Sequence, residues 1–394
     1  MTAPKDARTF HCPTCKGMLL FSPSQEGLRC THCRTVLRPE KSALRIVEHD
    51  LFASLEAMPR GLDLPRAGAA AGTTKSDGDQ AAGDGQKSLR CKECGATVAF
   101  PGRIVATVCS FCRSPSVLPQ SQNRQLIRPE SVVRFKVDGK VAQRAIAQWV
   151  RGLWFRPSDL QRMGRTQRLV GIYVPYYTYD AHVESAWTAE AGYDYTETET
   201  YEERENGETV QKTREVTKTR WESASGARAD DYDDILICAS GGVPRELMGQ
   251  VENFDTRALV PYSPDYLAGF LAEESAIDVR QGWSRAESWI RFSQESRCGS
   301  DVPGDRHRNL QVDSQLSRMT FKHVLLPLWV AAYRYRDRTY HVLINGQTGR
   351  VEGEAPYSVA KIVLFVLLIA ALLVAAYVLL QTMPGGDVPT LRDG

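Results

Sequence analysis

Residues 12–33 read CPTCKGMLLFSPSQEGLRCTHC, and residues 91–112 read CKECGATVAFPGRIVATVCSFC. Each stretch holds two CxxC pairs: Cys12 and Cys15 with Cys30 and Cys33, then Cys91 and Cys94 with Cys109 and Cys112. Fourteen residues separate the pairs in both, and Phe21 and Phe100 occupy matching places. The two are copies of one module. A CxxC turn lets both sulfurs face one ion, and two such turns close a tetrahedral shell around zinc. Four sulfurs leave no position for water, so both zinc ions are expected to be structural and to hold units too small for a core of their own. A redox dithiol is the competing reading, but it needs no second CxxC at a fixed distance. Iron fits the same sulfurs, with zinc the default. His11 and His32 adjoin ligands, and complete cysteine sets leave them no ligand role.

The chain has 394 residues, 49 Lys and Arg against 47 Asp and Glu, and a net charge of +2. That length allows two or three domains with at least one sizeable core. The balance excludes a wholly polybasic nucleic-acid binder but leaves room for a local basic patch. Around the ribbons, Arg29, Arg34, Arg38, Arg90, Lys92, Arg103 and Arg113 are available to phosphates, with acidic residues interspersed. The opening MTAPKDARTFHCPTC has no apolar run of a signal peptide, so the cysteines are expected in a reducing compartment, as metal ligands.

Ile362 to Leu380 reads IVLFVLLIAALLVAAYVLL, without charge, Gly or Pro. These residues span roughly 28 Å as a helix, about the hydrocarbon thickness of a bilayer. A buried core helix would show polar positions at helical spacing, and this one does not. Arg350 and Lys361 precede the span, while the short tail 381–394 has one Arg and two Asp. The excess of positive charge places the N-terminal bulk in the cytoplasm, as a single-pass protein of the cytoplasmic (inner) membrane.

Between these landmarks the expected organisation is zinc ribbon 1 over 10–38, a short helix over 39–58, a flexible linker over 59–88 and zinc ribbon 2 over 89–119. The helix rests on Leu44, Val47, Leu51 and Leu55. The linker rests on its Gly, Ala, Asp and Ser content, and would let each ribbon act separately. An α+β domain rich in strands is expected over 126–356. It opens with a strand at VVRFKVDG and a helix with Asp138 as cap and Val141, Ile146, Trp149, Val150 and Leu153 on its apolar side. Leu169 to Tyr179 reads as a buried strand with Pro175 at an edge or bulge. Residues 193–221 are β-prone and polar on both faces around Asn206-Gly207, the signature of a projecting hairpin. Ser263-Pro264 marks a helix start, a helix is expected over 277–297, and 299–314 reads as a loop. Strands Lys322–Tyr335 and Tyr340–Ile344 follow. VPYYTY and LPLWVAAY echo each other as a weak internal duplication.

No GxxxxGK[ST] occurs, and no GxGxxG opens a helix, so no nucleotide site is read; Gly241-Gly242 lacks the following Lys-Ser/Thr. Cys238 or Cys298 with His307 or His323 is a nucleophile pairing that no spacing supports. DDYDD at 230–234 reads as a solvated loop, with a divalent cation as the sharper alternative. The Tyr and Trp clusters at 173–179 and 329–340 read as core.

The ribbons, YVPYYTYD at 173–180, YSPDYLAGF at 262–270 and LPLWVAAYRYRDRTYHVLINGQTGRVEGEAPYS before the apolar span give the chain a family resemblance. It resembles the bacterial zinc-ribbon membrane proteins encoded near phage-shock protein A and SPFH (flotillin-like) proteins, often labelled primosomal-helicase-like or TFIIB-type. The resemblance covers most of the chain outside the linker and is most specific at LINGQTGRVEGEAPYS. It implies a membrane-associated adaptor in envelope-stress response with those proteins as partners, and it brings no catalytic residues. The sequence therefore points to a non-enzymatic, membrane-tethered adaptor. The alternative is a membrane-associated nucleic-acid-binding zinc-ribbon protein.

Overall fold

The structure, a computed structural model, describes residues 11–39, 46–57, 86–91, 97–101, 109, 111, 117–120, 129–157, 169–205, 208–335 and 338–382. Two segments decide its plan. GIYVPYYTY (171–179) and HVLLPLWV (323–330) put bulky, β-prone side chains on both faces of a strand, the composition of strands buried on both sides. They pair antiparallel, with Val174 opposite Leu326 at the centre of the ladder.

In chain order the strands are β1 (Leu19–Ser22), β2 (Gly27–Cys30), β3 (Val36–Leu37), β4 (His49–Asp50), β5 (Gln86–Cys91), β6 (Thr97–Pro101), β7 (Val117–Gln120) and β8 (Ser131–Val133). Then come β9 (Val170–Glu205), β10 (Glu208–Cys238), β11 (Leu259–Pro261), β12 (Leu271–Glu273), β13 (Arg306–Tyr335), β14 (Arg338–Asn345) and β15 (Val351–Gly353). The helices are α1 (Leu51–Ala57), α2 (Gly139–Gly152), α3 (Arg245–Val251), α4 (Val279–Asp301) and α5 (Val359–Thr382). β1–β3 make a small sheet. The others make one twelve-stranded sheet, with the order β11-β8-β13-β9-β12-β6-β5-β7 along its length.

The large sheet is a duplication folded about the β9–β13 pair. Each half runs short strand, helix, long strand, partner strand: β8, α2, β9, β10, then β12, α4, β13, β14. In each, an aspartate five positions past the short strand precedes the helix, Asp138 and Asp278. The short strand of each half pairs parallel with the long strand of the other, Ser131 with Val324 and Leu271 with Ile172. Two side chains repeat the exchange. Tyr177 donates its hydroxyl to Ile277 O (3.3 Å), and Trp329 donates Nε1–H to Val137 O (2.9 Å).

Proline explains the changeover between neighbours. Pro175 has no N–H to give and stands where β12 has ended its pairing at Tyr173 and β10 starts at Tyr176. Pro327 stands in the same way between β8, paired to Leu325, and β14, which begins at Leu328. Each proline carbonyl accepts from the residue past the partner strand, Ala239 N at 3.0 Å and Gly346 N at 2.9 Å. The edge or bulge expected at Pro175 is thus a gap between two neighbours of a central strand.

Alternation along β9 and β13 divides the core between the two faces. Ile172, Val174, Tyr176, Val324, Leu326 and Leu328 pack with α3 and with Cys91, Cys109 and Phe111. On the other face Tyr177, Tyr179 and Val183 pack with α4, and Ala331 and Tyr333 with α2. Gly282 lets α4 approach closely, since a Cβ there would fall 2.2 Å from the Tyr179 hydroxyl, which donates to Val279 O at 2.8 Å. A capping box between Asp278 and Gln281 fixes the start of that helix.

β9 and β10 form a hairpin that β13 accompanies out to Gly192, opposite Arg306. Residues 193–205 and 208–220 continue as a two-stranded arm about 40 Å long. β9 supplies its acids and β10 its bases, with Glu203–Lys212 at 2.9 Å, Glu199–Arg214 at 3.3 Å and Glu197–Lys218 at 2.9 Å. These pairs are solvent-facing and screened, so each adds little to stability. The turn at Asn206-Gly207 lies outside the described residues. α5 leaves the sheet: Val359–Leu379 has a mean hydropathy of 3.2 and none of it is buried, so by length and composition it can cross a membrane.

Several expectations are corrected. The helix expected over 39–58 is only Leu51–Ala57, because His49–Asp50 pairs with Phe321–Thr320 as a strand, and Val47 is exposed. Residues 40–45 and residue 58 lie outside the described residues. So does the linker expected over 59–88 as far as 85; residues 86–88 already belong to β5. The expected loop over 299–314 is the end of α4 and the start of β13. Its alternation is broken by bulges at Arg308/Gln311 and Ser317/Thr320, where Asn309 and Arg318 take positive φ. Val141 is exposed, and Ala142 takes its place with Ile146. The DDYDD loop is strand: Asp230–Tyr232 pair with β9 before a bulge at Asp234, φ 53°.

Asp230 ties α4 to β10. It accepts from Arg228 Nε (2.6 Å), Arg297 Nη1 (2.7 Å) and Gln294 Nε2 (2.9 Å). The Arg228 bonds above all hold its carboxyl well below the usual range. A depressed acid stabilises the fold above its unfolded pKa, near 4, and that contribution is lost as pH falls below it. Asp230→Asn is therefore expected to cost on the order of 2 kcal/mol at neutral pH and less in acid. Urea titrations at pH 7 and pH 3 check this; an equal cost at both would contradict it.

Candidate metal centre

The first cysteine stretch folds around its sulfurs. Lys16 and Arg34, each the residue after a CxxC, take positive φ of 61° and 65°. That left-handed step turns the chain back, so that Cys12 N donates to Gly17 O at 2.7 Å and Cys30 N to Thr35 O at 2.9 Å. The ligand atoms of Cys12, Cys15, Cys30 and Cys33 all lie within 4.8 Å of one another, with Cys12–Cys33 Sγ at 3.5 Å and Cys15–Cys30 Sγ at 3.4 Å. Sulfurs about 2.3 Å from a tetrahedral ion stand slightly under 4 Å apart, so the residues fit a four-sulfur metal shell. Gly17 suits the close approach: a Cβ there would meet Cys30 Sγ at 3.1 Å and Cys15 Sγ at 3.3 Å, tighter than ordinary contact.

The charge state suits a cation. The Thr35 hydroxyl, 3.1 Å from Cys33 Sγ, and the Thr35 N–H hold that thiol down to about 6. Against the pull of the Gly17 N–H, the Cys33 and Cys30 sulfurs push Cys15 up to about 11. Negative charge is thus easy to place on one sulfur and costly on the next until a metal ion compensates it.

The second stretch is described in part. Cys91 and Cys109 are both buried in one cluster, and Cys94 and Cys112 lie outside the described residues. One detail is shared. Phe111 N donates to Cys109 Sγ at 3.4 Å, as His32 N donates to Cys30 Sγ at 3.4 Å. The position after Cys94 is Gly95, the residue best suited to the left-handed step that Lys16 makes. This pair, like the Cys12 set, can hold a metal.

The two cysteine stretches are not free to act apart. β6 joins the main sheet at β12, pairing Ala99 with Ala272. The first stretch packs Leu19, Phe21 and Leu28 against Phe135, Tyr173 and Ala268, and Phe21 N donates to Ala268 O at 2.8 Å. A unit of this size cannot bury its own apolar face, so it borrows the sheet. That packing carried no sequence signal beyond the apolar side chains themselves.

The other flagged residues have structural partners. The carboxylates of Asp180, Asp233 and Asp234 lie within 4.8 Å, but the buried Lys322 ammonium stands 2.8 Å from Asp234, and Thr320 Oγ1 donates to Asp180 at 2.8 Å. A lysine already holds the place of a cation. Gly241 and Gly242 aim their N–H groups at Glu273 (3.0 and 3.1 Å), joined by Ser240 Oγ at 2.6 Å; burial holds that carboxyl up to about 7. Burial pushes Cys238 up to about 12 and raises Cys298. His323 meets Ser275 Oγ at 3.2 Å and the Tyr177 ring.

Over 262 residues the chain is 27% identical to the uncharacterized protein YdjG of Bacillus subtilis (strain 168), a match covering 66% of this chain and 73% of that protein. No protein-family profile matches the chain. No solved structure matches it.

Gly17→Val is expected to drive the first set of sulfurs apart and remove the metal share of that site, with Gly17→Ala intermediate. Elemental mass spectrometry of purified full-length protein measures it. Unchanged metal content in Gly17→Val would contradict the close approach.

Proposed function

We propose that this chain is a non-enzymatic adaptor, anchored in the cytoplasmic membrane with its bulk in the cytoplasm, that gathers protein partners beside the bilayer. The observation that carries the reading is continuity. One sheet connects the cysteine stretch at Cys91 and Cys109 with the long arm and with the segment leading into α5, while the first ribbon packs on its face. A rigid frame that links small sulfur-closed modules to a membrane span is suited to holding partners at a fixed place, and tethering raises their effective concentration there.

Two structural zinc ions, at Cys12, Cys15, Cys30, Cys33 and at Cys91, Cys94, Cys109, Cys112, complete the reading. Sulfur-only shells favour zinc and offer no open position for chemistry. Arg350 before α5 and Lys361 in its first turn support the cytoplasmic orientation. Past Gly192 both outer edges of the arm carry strand backbone without a neighbouring strand among the described residues, a surface that partners can extend. The family resemblance puts phage-shock protein A and SPFH-type proteins first among candidates. One observation favours the second reading, a nucleic-acid partner: Arg29, Arg34 and Arg38 are all exposed on the first ribbon.

Affinity purification in mild detergent tests the proposal, comparing the whole chain with one whose residues 194–219 are replaced by a tight turn. Partner proteins are expected with the whole chain and are expected to be depleted with the short arm, while both keep their zinc. Retention of nucleic acid alone, released steeply by salt and lost when the three arginines are replaced, would overturn it in favour of the second reading.

A further inference from the structure

A short loop holds the root of α5. α2 ends at Gly152, and residues 153–157, LWFRP, turn beside the first turns of α5. Ser358 N donates to Phe155 O at 2.8 Å, and Lys361 Nζ donates to Arg156 O at 2.8 Å. The Arg156 guanidinium lies 3.5 Å from the Tyr357 ring centroid and also donates to Ala355 O. The Phe155 ring meets Phe365 edge-on, with centroids 5.2 Å apart. Phe365 is one turn past Lys361, about 6 Å further along the helix axis. Phe155 therefore reaches beside the apolar span, below the level of its flanking cation.

Trp154, between Leu153 and Phe155, is 74% exposed, among the most exposed large hydrophobic side chains of the described residues. An exposed Trp gains little from water, and it is the residue most at home at the boundary of headgroups and acyl chains. The depth fits, since interfacial side chains settle about 5–10 Å into that boundary. The far end of the helix agrees. Tyr377 lies about 27 Å along the helix from its start at Val359, and Tyr357 stands two residues before that start, so an aromatic ring stands at each end of a span close to the thickness of a hydrocarbon core.

We propose that the loop 153–157 is a second membrane contact. Trp154 and Phe155 enter the leaflet where α5 begins, and Arg156 and Lys361 face the phosphates of anionic headgroups. The occupant is the lipid surface, argued from continuity with the apolar helix that the loop grips. Two contacts on different elements fix the tilt of the sheet, and hence where the arm points, which a single span leaves free. The inference rests on α5 being a membrane span.

The test uses full-length protein reconstituted in vesicles of phosphatidylethanolamine and phosphatidylglycerol carrying nitroxide lipids. The chain has 7 tryptophans, so the Trp154 emission is taken as wild type minus Trp154→Phe. Both proteins are expected to float with the vesicles. The difference emission is expected to be blue-shifted and mostly lost with a nitroxide near the headgroup, and far less affected by one at mid-bilayer. Flotation with a red, unquenched difference emission would place Trp154 in water and overturn the proposal while leaving the span. Failure of both proteins to float would overturn the span reading and this proposal with it.

Discussion

Everything in this molecule leans on the pairing of β9 with β13 around Val174 and Leu326. Both strands are apolar on both faces, so neither can lie at a surface, and each must find neighbours on two sides. Pro175 and Pro327 decide where those neighbours change, because a residue without an N–H can sit only where no partner asks for one. Each half then lends its short strand to the other. Neither half has a complete sheet alone, and the helices, ribbons and arm are placed by a ladder made jointly.

Much of this was legible, though in fragments. The apolar runs announced the central strands, and the echo of VPYYTY in LPLWVAAY hinted at the duplication. What the sequence could not display is the exchange, because parallel pairing of Ser131 with Val324 is a long-range fact without local signature. The start of β13 was hidden for another reason. RHRNLQVDSQLSRM (306–319) is polar and bulged, so its period-two pattern slips twice, at Asn309 and Arg318, and its start reads as a loop. DDYDD was misleading in the same way: four acids look solvated until Arg228, two residues before Asp230, and Arg297 and Lys322 from distant positions pair with them.

For Cys12, Cys15, Cys30 and Cys33 the spacing brought together residues that the structure also groups, and the geometry adds how they are held. Left-handed residues after each CxxC, a glycine under the sulfurs and a threonine hydroxyl on Cys33 are local devices. The surprise lies outside the sulfur shell. The modules expected to swing on a linker are pressed into the core, one as part of the main sheet and one against its Tyr173 face. A metal held by these sulfurs would therefore be coupled to the stability of the whole sheet, and the molecule is better described as a frame with built-in sulfur sites than as a domain with mobile fingers.

That description predicts one cooperative unit. Hydrogen exchange of the full chain in detergent, followed by mass spectrometry across a denaturant series, tests it most directly. Peptides from 171–179 and from 323–330 should exchange together, through the same opening, with the same dependence on denaturant. If the half from 271 to 345 opens and exchanges while 131 to 238 stays protected, the interlocked pair is not what holds the molecule together.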